Sequence, residues 1–173
     1  MNIFEKMLYI ALSAPMRVRE WLYCKSLQEK VDCGKNVTFL PTASIDGVHV
    51  SIGDNSLIAG EITAFWNGFV DIGEDCYVGP GTRIVAKADI TIGDHVLISH
   101  GVTIADEDQN KIHSVHIEDD VWVGFDCSIL PGTHIGKCAI IGAGSVVVGE
   151  IPAYALVVGN PARVFRIDEY AQA

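Results

Sequence analysis

Six histidines carry most of the acid–base chemistry that this sequence offers: His49, His95, His100, His113, His116 and His134. An imidazole changes protonation near neutral pH, so a histidine in a cleft is the natural base for taking a proton from a hydroxyl or an amine. His113 lies in the longest interruption of a regular repeat, and His100 lies on a regular segment just before it. We expect the other four to be outward surface residues. His113 and His100 are therefore the two rival candidates.

The element that must position these histidines is a six-residue repeat, clearest from Ile117 to Val147. Each hexad opens on an aliphatic residue: Ile117, Val123, Ile129, Ile135, Ile141 and Val147. The fifth place is small or β-branched (Val121, Cys127, Thr133, Ala139, Ser145), and the second place is often glycine (Gly124, Gly136, Gly142). Neither a helix nor a lone strand has this period, whereas a solenoid of stacked coils does. We predict three strands per coil, with the aliphatic residues inside, the fifth residue at a tight corner, and glycine where the chain bends with positive φ.

Two interruptions of the repeat are the places where function could be added, because regular coils mainly carry stability. The stretch AFWNGFVD breaks the period, and Trp66 and Phe69 are expected to protrude there as a small loop. After Ile104 the next aliphatic residue of the period, Ile117, comes seven residues late. We therefore expect Asp106–His116 to bulge from the coil.

The N-terminal segment differs in kind from the repeat. Two helical patterns are separated by Ser13 and Pro15. The predicted organisation is helices over 1–30, a β-solenoid over 31–167 with a loop at 105–116, and a tail over 168–173. The helices would cap the first coil, and peripheral contact with a membrane or partner is the alternative, since the apolar run is too short to span a bilayer.

Composition limits the classes of partner. The net charge of −10 leaves no basic patch for phosphates, so nucleic acid is not an expected partner. Five cysteines without a C-x-x-C spacing favour a reducing cytoplasm over a disulfide framework. Cys76 and Cys127 occupy fifth places of their hexads and are predicted to be core side chains.

The motifs VWVG around Trp122, IGAGSVVV, and VVGNPARVFR resemble those of the hexapeptide-repeat acyltransferases, over residues 31–167. The resemblance implies a mainly β fold, a left-handed parallel β-helix behind an N-terminal helical segment, against the usual right-handed crossover. It implies a homotrimer with active sites between subunits, acetyl-CoA along the coils, and a sugar or glycan acceptor in polysaccharide biosynthesis. A general base and an oxyanion donor would suffice for the transfer, with no metal. The enzyme would work in the cytoplasm or at the inner face of the membrane.

The resemblance does not decide which histidine is the base. In the galactoside and maltose acetyltransferase branch, the catalytic histidine would fall at Gln109, which Asn110 follows. His100 matches the catalytic position of the nucleotide-sugar N-acetyltransferases, although Gly101 replaces the neighbouring acid. His113 falls one residue from a substrate-contacting histidine of the serine acetyltransferases.

The resemblance also implies acetyl-CoA-binding positions, namely Trp122, Phe125, Ala143, Val148, Gly149, Arg163 and Arg166. Val148 and Gly149 stand where the family usually has Thr-Lys, so one phosphate contact is missing. Arg163 and Arg166 suit the phosphates of the cofactor. The acidic residues expected to bind the acceptor or orient an imidazole are Asp106, Glu107 and Asp108.

Three other functions remain open from the sequence. One is N-acetylation of a nucleotide-linked amino sugar, and another is a non-catalytic solenoid that serves as an assembly surface. The third is a γ-class carbonic anhydrase-like metalloprotein, because HVLISHG with His95 and His100 resembles a segment of that class. A third histidine would then be needed near Ala64, where the sequence has none.

Overall fold

The computed structural model describes residues 16–47, 49–109 and 111–167, which form one helix and a parallel β-solenoid of about six turns. Helix α1 (Met16–Gln28) packs on the first coil, where the Gln28 side-chain amide donates a 2.8 Å hydrogen bond to the Val37 carbonyl. Leu27 of this helix is buried in the core. The helical pattern predicted before Pro15 lies outside the described residues. Within the described part of the chain, no helix is long and apolar enough to cross a membrane.

Three parallel sheets form the faces of the coil. Sheet A contains β1 (Asp32–Cys33), β4 (Val50–Ile52), β7 (Phe69–Ile72), β10 (Asp89–Ile92), β15 (Val115–Ile117), β18 (His134–Ile135) and β21 (Glu150–Ile151). Sheet B contains β2 (Thr38–Phe39), β5 (Leu57–Ile58), β8 (Tyr77–Val78), β11 (Leu97–Ile98), β16 (Trp122–Val123), β19 (Ile140–Ile141), β22 (Ala155–Gly159) and the antiparallel β23 (Ala162–Ile167). Sheet C contains β3 (Ser44–Asp46), β6 (Glu61–Ala64), β9 (Arg83–Ala86), β12 (Thr103–Ala105), β17 (Ser128–Ile129) and β20 (Val146–Val147). The predicted left-handed parallel β-helix is confirmed.

The opening aliphatic residues of the hexads stack in register inside the coil. Ile92 pairs with Ile117, which pairs with Ile135 in the next turn, and all three are at most 3% exposed. Each such side chain contributes roughly 1.5–3 kcal/mol by leaving water. The fifth-place residues are buried as predicted: Val121, Cys127, Thr133, Ala139 and Ser145. Repetition of one interior layer thus builds the core.

The prediction that second-place glycines supply positive φ is wrong. The left-handed residues of these hexads occupy the fourth place, with φ between 54° and 75° at Asp120, Asp126, Gly132, Cys138 and Gly144. Asparagine, aspartate and glycine tolerate that region best. At Gly124, by contrast, an added Cβ would lie 2.7 Å from the Ala143 nitrogen and 2.8 Å from the Ile141 oxygen. The second place is glycine because the next coil passes too close for a side chain.

The two interruptions differ in detail from the prediction. Trp66 protrudes, but Phe69 already belongs to strand β7. The expected bulge is an antiparallel hairpin of β13 (Glu107–Asp108) and β14 (Lys111–Ile112), with Glu107 opposite Ile112. It ends before Val115, which is fully buried and pairs with Ile90, so His116 lies on the regular coil.

The cysteines are not joined by disulfides. Cys76 and Cys127 are buried as predicted, and the other three are partly buried. Burial raises the pKa of the Cys76 thiol to about 11, so it stays protonated at neutral pH. A buried protonated thiol is a poor nucleophile. Cys76 and Cys127 therefore serve as packing groups.

Candidate functional site

Two corners of the coil carry the candidate site residues. The turns from sheet B to sheet C form the B/C corner, and those from sheet C to the next strand of sheet A form the C/A corner. His100 follows β11 and lies at the B/C corner, whereas His113 follows the hairpin and lies at the C/A corner of the same turn. The structure places the rival histidines at opposite ends of sheet C, so they do not form one site within the chain.

The B/C corner stacks three of the predicted residues in successive turns. His100, Phe125 and Ala143 follow one another there, and the His100 carbonyl accepts a 3.1 Å hydrogen bond from the Asp126 N–H. The His100 ring meets the edge of Phe125 at a centroid distance of 5.5 Å. Its Nε2 lies 3.3 Å from the Tyr77 hydroxyl. These two contacts fix the orientation of the imidazole.

Sheet B presents an apolar stripe beside this corner. Leu97, Trp122 and Ile140 are in register on successive strands and are 42%, 49% and 38% exposed. The Trp122 indole N–H donates to the Ser99 hydroxyl at 3.4 Å. A contiguous exposed apolar stripe of this kind is typical of a surface that another molecule covers.

The predicted cofactor residues are divided between the two corners. Arg163 lies on β23 opposite Val158, where its guanidinium donates a 2.8 Å hydrogen bond to the Ala162 carbonyl. Arg166 pairs through its backbone with Leu156 on the same ribbon. Val148 and Gly149 lie instead at the C/A corner, between β20 and β21. One copy of the chain therefore does not gather all seven positions.

At the C/A corner His113 is held by its backbone and its side chain is exposed. Its N–H donates to the Asp106 carbonyl at 2.9 Å, and its own carbonyl accepts the Gly132 N–H at 3.1 Å. Gly132 lies one turn further along the coil, and the Val148–Gly149 turn lies one turn beyond it. His113 thus shares a column with two of the predicted cofactor positions.

Asp106 positions the hairpin and does not face an acceptor. Its side chain is fully buried, and its two carboxylate oxygens accept the Lys87 N–H at 2.8 Å and 3.0 Å and the Ala88 N–H at 2.6 Å. Charge-assisted bonds of this kind are among the stronger ones in a protein. The prediction that Asp106 binds the acceptor is therefore wrong, because its buried carboxylate is occupied by backbone N–H groups. Glu107 lies 2.5 Å from the Lys87 ammonium, and Asp108 is exposed in the hairpin.

A groove opens beside His113 at the same corner. Its volume is about 480 Å³, and it is lined by Phe65, Trp66, Asn67, Lys87 and Ile112. The sequence pointed to the Trp66 loop but not to Lys87 or Ile112. The two-residue insertion at Lys87 and Ala88, between β9 and β10, is the feature of the sequence that could have pointed to Lys87 as part of this groove.

The remaining histidines lie on outward surfaces. His95 lies at the turn from sheet A to sheet B, 3.8 Å from Asp75 and 3.7 Å from Asp120. It is therefore at a different corner from His100. Across the described residues, no three His, Cys, Asp or Glu side chains are grouped to hold a metal ion.

Comparison with known proteins agrees with the fold. Residues 114–149 match the family described as bacterial transferase hexapeptide (six repeats). The galactoside O-acetyltransferase of Escherichia coli K12 is 30% identical, over 70% of this chain and 66% of that protein. The galactoside O-acetyltransferase of Lactococcus lactis is 35% identical, over 66% of this chain and 61% of that protein. The chain thus spans slightly less than two thirds of the length of these relatives.

Solved structures show the same architecture. AntD, an N-acyltransferase from Bacillus cereus solved with dTDP-4-amino-4,6-dideoxyglucose and coenzyme A, superposes with a TM-score of 0.76 at 22% identity, over 84% of this chain and 88% of that one. The polySia-specific acetyltransferase NeuO superposes with a TM-score of 0.69 at 26% identity, over 79% of this chain and 75% of that one. The repeat match and the shared coil together identify the chain as a hexapeptide-repeat protein that is similar to sugar acetyltransferases.

Proposed function

We propose that the protein is an acetyl-CoA-dependent acyltransferase that acetylates a hydroxyl of a sugar or surface-polysaccharide unit, with His113 as the general base. The observation that carries this proposal is the position of His113 between the groove and the Val148–Gly149 turn, all at one corner. A base must reach both the acceptor hydroxyl and the thioester, and this position lies in one column with a candidate site for each. The similarity to galactoside O-acetyltransferases supports a sugar hydroxyl as acceptor.

The transfer needs little from the protein. The His113 imidazole takes the proton of the acceptor hydroxyl as its oxygen attacks the thioester carbonyl of acetyl-CoA. A backbone N–H of a turn at this corner holds the oxyanion of the tetrahedral intermediate. The intermediate collapses with loss of the coenzyme A thiolate, which receives the proton from the imidazolium. The acetyl ester and free coenzyme A are the products, and no covalent enzyme intermediate is required.

A homotrimer would complete the site. The B/C corner, with Trp122, Phe125 and Ala143, would come from a neighbouring copy and line the pantetheine arm, while Arg163 and Arg166 hold the phosphates. The exposed stripe of Leu97, Trp122 and Ile140 supports burial against another copy. This arrangement accounts for the division of the cofactor positions between two corners of one chain.

A product screen tests the proposal. The protein is incubated with acetyl-CoA and a panel of glycosides, oligosaccharides and sugar nucleotides, and products are identified by mass spectrometry. We expect an acetyl ester on a sugar hydroxyl. Calorimetric titration with acetyl-CoA separates an enzyme from a non-catalytic solenoid, because absence of binding would end the acyltransferase proposal.

The second candidate is N-acetylation of a nucleotide-linked amino sugar, with His100 as base. The contacts of His100 favour it, since the Tyr77 hydroxyl and the Phe125 ring hold this imidazole at the corner that also carries the predicted cofactor position Ala143. An amide product that resists mild alkali would support this candidate, whereas an ester would be hydrolysed. Metal content by elemental analysis addresses the carbonic anhydrase-like alternative.

A further inference from the structure

Trp66 is held in solvent by a strained turn. Its side chain is 91% exposed, and its backbone φ is +35°, a region that bulky residues rarely adopt. The Gly68 N–H closes the turn on the Phe65 carbonyl, and a Cβ at Gly68 would overlap the Ala86 carbonyl. The chain thus accepts backbone strain to present a large aromatic face to water. Exposed aromatic faces held in this way are expected to meet a ligand.

The groove beside Trp66 has the size and lining of a small-ligand site. Phe65, Trp66 and Ile112 supply the apolar part of its lining, and its volume is about 480 Å³. Volumes of this order accommodate small ligands. The Lys87 ammonium lies 5.8 Å from the centre of the Phe65 ring, and Asn67 is the other polar residue that lines the groove. Apolar faces with a few hydrogen-bonding groups match a sugar ring, whose C–H face is apolar and whose edge carries hydroxyls.

The charges around the groove argue against a phosphate-bearing ligand. Lys87 is already paired with Glu107 at 2.5 Å. Lys111 and Asp108 are register partners in the hairpin, and the buried Asp106 lies just before it. Among the described residues, Lys87 and Lys111 are thus outnumbered by three carboxylates, so the local charge does not favour a pyrophosphate.

We propose that an uncharged pyranose ring of the acceptor stacks on Trp66 in this groove, with its hydroxyls bound by Asn67 and Lys87. Acetyl transfer to the bound ring rests on the proposed function, in which the base is His113, the residue that follows Ile112 of the groove lining. Binding of the ring alone is independent of that function. The acceptor is therefore a neutral glycoside or glycan unit, and a nucleotide diphosphate does not occupy this groove.

Tryptophan fluorescence of the full chain tests the binding. Methyl galactoside, methyl glucoside and dTDP-glucose are titrated separately. We expect a saturable change with at least one neutral glycoside, and a Trp66→Ala affinity about tenfold weaker, the upper range for losing one aromatic stacking partner. Because Trp66→Ala removes the tryptophan that reports on the groove and leaves Trp21 and Trp122, its affinity is measured by calorimetry. Trp66→Phe keeps a ring and should recover most of the affinity, and Tyr23→Ala, which removes an exposed aromatic from α1, should change nothing.

Three results would overturn the groove assignment. One is binding of dTDP-glucose in preference to both glycosides, and another is unchanged glycoside affinity in Trp66→Ala. The third is a combined result, in which the unmodified protein binds no glycoside and Trp66→Ala dissociates an oligomer. The groove would then be an interface between copies of the chain.

The transfer reaction separates this proposal from the proposed function. With a working acceptor, Trp66→Ala should raise the acceptor KM about tenfold and leave the KM for acetyl-CoA and kcat within about twofold. Glycoside binding without any acetyl product would end the proposed function and leave the groove assigned. Acetyl transfer with an unchanged acceptor KM in Trp66→Ala would end the groove assignment and leave the function.

Discussion

The B/C and C/A corners of the coil are built from the same chain and differ in how closely they follow the repeat. Near His100 the B/C corner stacks turn on turn, and the Phe125 carbonyl accepts the Gly144 N–H at 2.7 Å. The C/A corner is interrupted at the Trp66 turn, at Lys87 and at the hairpin before His113. Regular turns bond their backbone to the next coil, whereas interrupted turns add residues that the repeat does not need. Chemistry can be added at the C/A corner without changing the core.

The two corners are also secured differently. The regular corner depends on close approach of the coils, as at Gly124. The interrupted corner depends on one buried carboxylate, Asp106, which ties the hairpin to the Lys87–Ala88 turn. The first should fail through steric overlap and the second through loss of a polar anchor. Variants at each corner can therefore separate stability from function.

The largest expected effect comes from the base. His113→Ala should lower kcat by about 10²- to 10⁴-fold, because no base is then left to take the proton from the sugar hydroxyl. His100→Ala should have a smaller effect, and His49→Ala, at an exposed outward position, should have none. The measurement is steady-state acetyl transfer to an acceptor found in the product screen. A larger loss in His100→Ala than in His113→Ala would move the base to the B/C corner.

The next effect is on stability at the regular corner. Gly124→Ala should destabilise the fold by about 3 kcal/mol, because its Cβ would press on the backbone of the next coil. Gly144→Ala is the matched variant, since no atom lies within 4 Å of its added Cβ while its φ is +70°. It should cost about 1 kcal/mol for the left-handed conformation alone. Denaturant unfolding of both checks the order, and equal losses would show that close approach is not the stronger constraint.

A more local effect is expected at the interrupted corner. Asp106→Asn removes the charge and one acceptor oxygen, which should cost about 1–3 kcal/mol at a buried hydrogen-bonded site. Hydrogen exchange should speed up in the hairpin and at Lys87 and Ala88, while the interior strands keep their protection. Asp108→Asn, at an exposed position of the same hairpin, is the control. Uniform loss of protection would mean that Asp106 supports the whole coil.

The sequence predicts the coil well because its pattern repeats. An aliphatic residue at every sixth position fits stacked coils and neither a helix nor a lone strand, so the interior column from Ile117 onward was predictable. The reason why glycine occupies the second place of the hexads could not be predicted, because the close approach at Gly124 depends on the neighbouring turn. The burial of Asp106 escaped for a similar reason, since its partners, Lys87 and Ala88, lie a full turn earlier. Contacts between turns require coordinates, whereas periodicity does not.

The smallest expected effect is a pH dependence on the regular face of sheet A. His134 Nδ1 lies 2.8 Å from Glu150 and its Nε2 lies 2.9 Å from Glu118, and these two hydrogen bonds, the one to Glu150 first, raise the pKa of the imidazole. The pKa of Glu118 is lowered, chiefly by the 2.8 Å hydrogen bond from the Lys137 N–H and then by His134. The His116 ring, 6.5 Å away, is the other titratable group facing His134.

The signs of the two shifts define a window of greatest stability. The His134 contribution is complete below the ordinary histidine pKa, about 6.5, and is lost as pH rises through the raised folded pKa. The Glu118 contribution is complete above the ordinary glutamate pKa, about 4.3, and is lost as pH falls through the lowered folded pKa. Both contributions to stability are present between about pH 4.5 and 6.5.

Because the His134, Glu118 and Glu150 side chains are 38%, 46% and 80% exposed, their combined effect on the free energy of unfolding should stay below about 1 kcal/mol. His134→Gln should flatten the fall in thermal stability above pH 6.5, and His49→Gln should not. Neither variant should change the acetyl-transfer activity that is proposed for the C/A corner. An unchanged pH slope in His134→Gln would show that these surface contacts do not couple the turns.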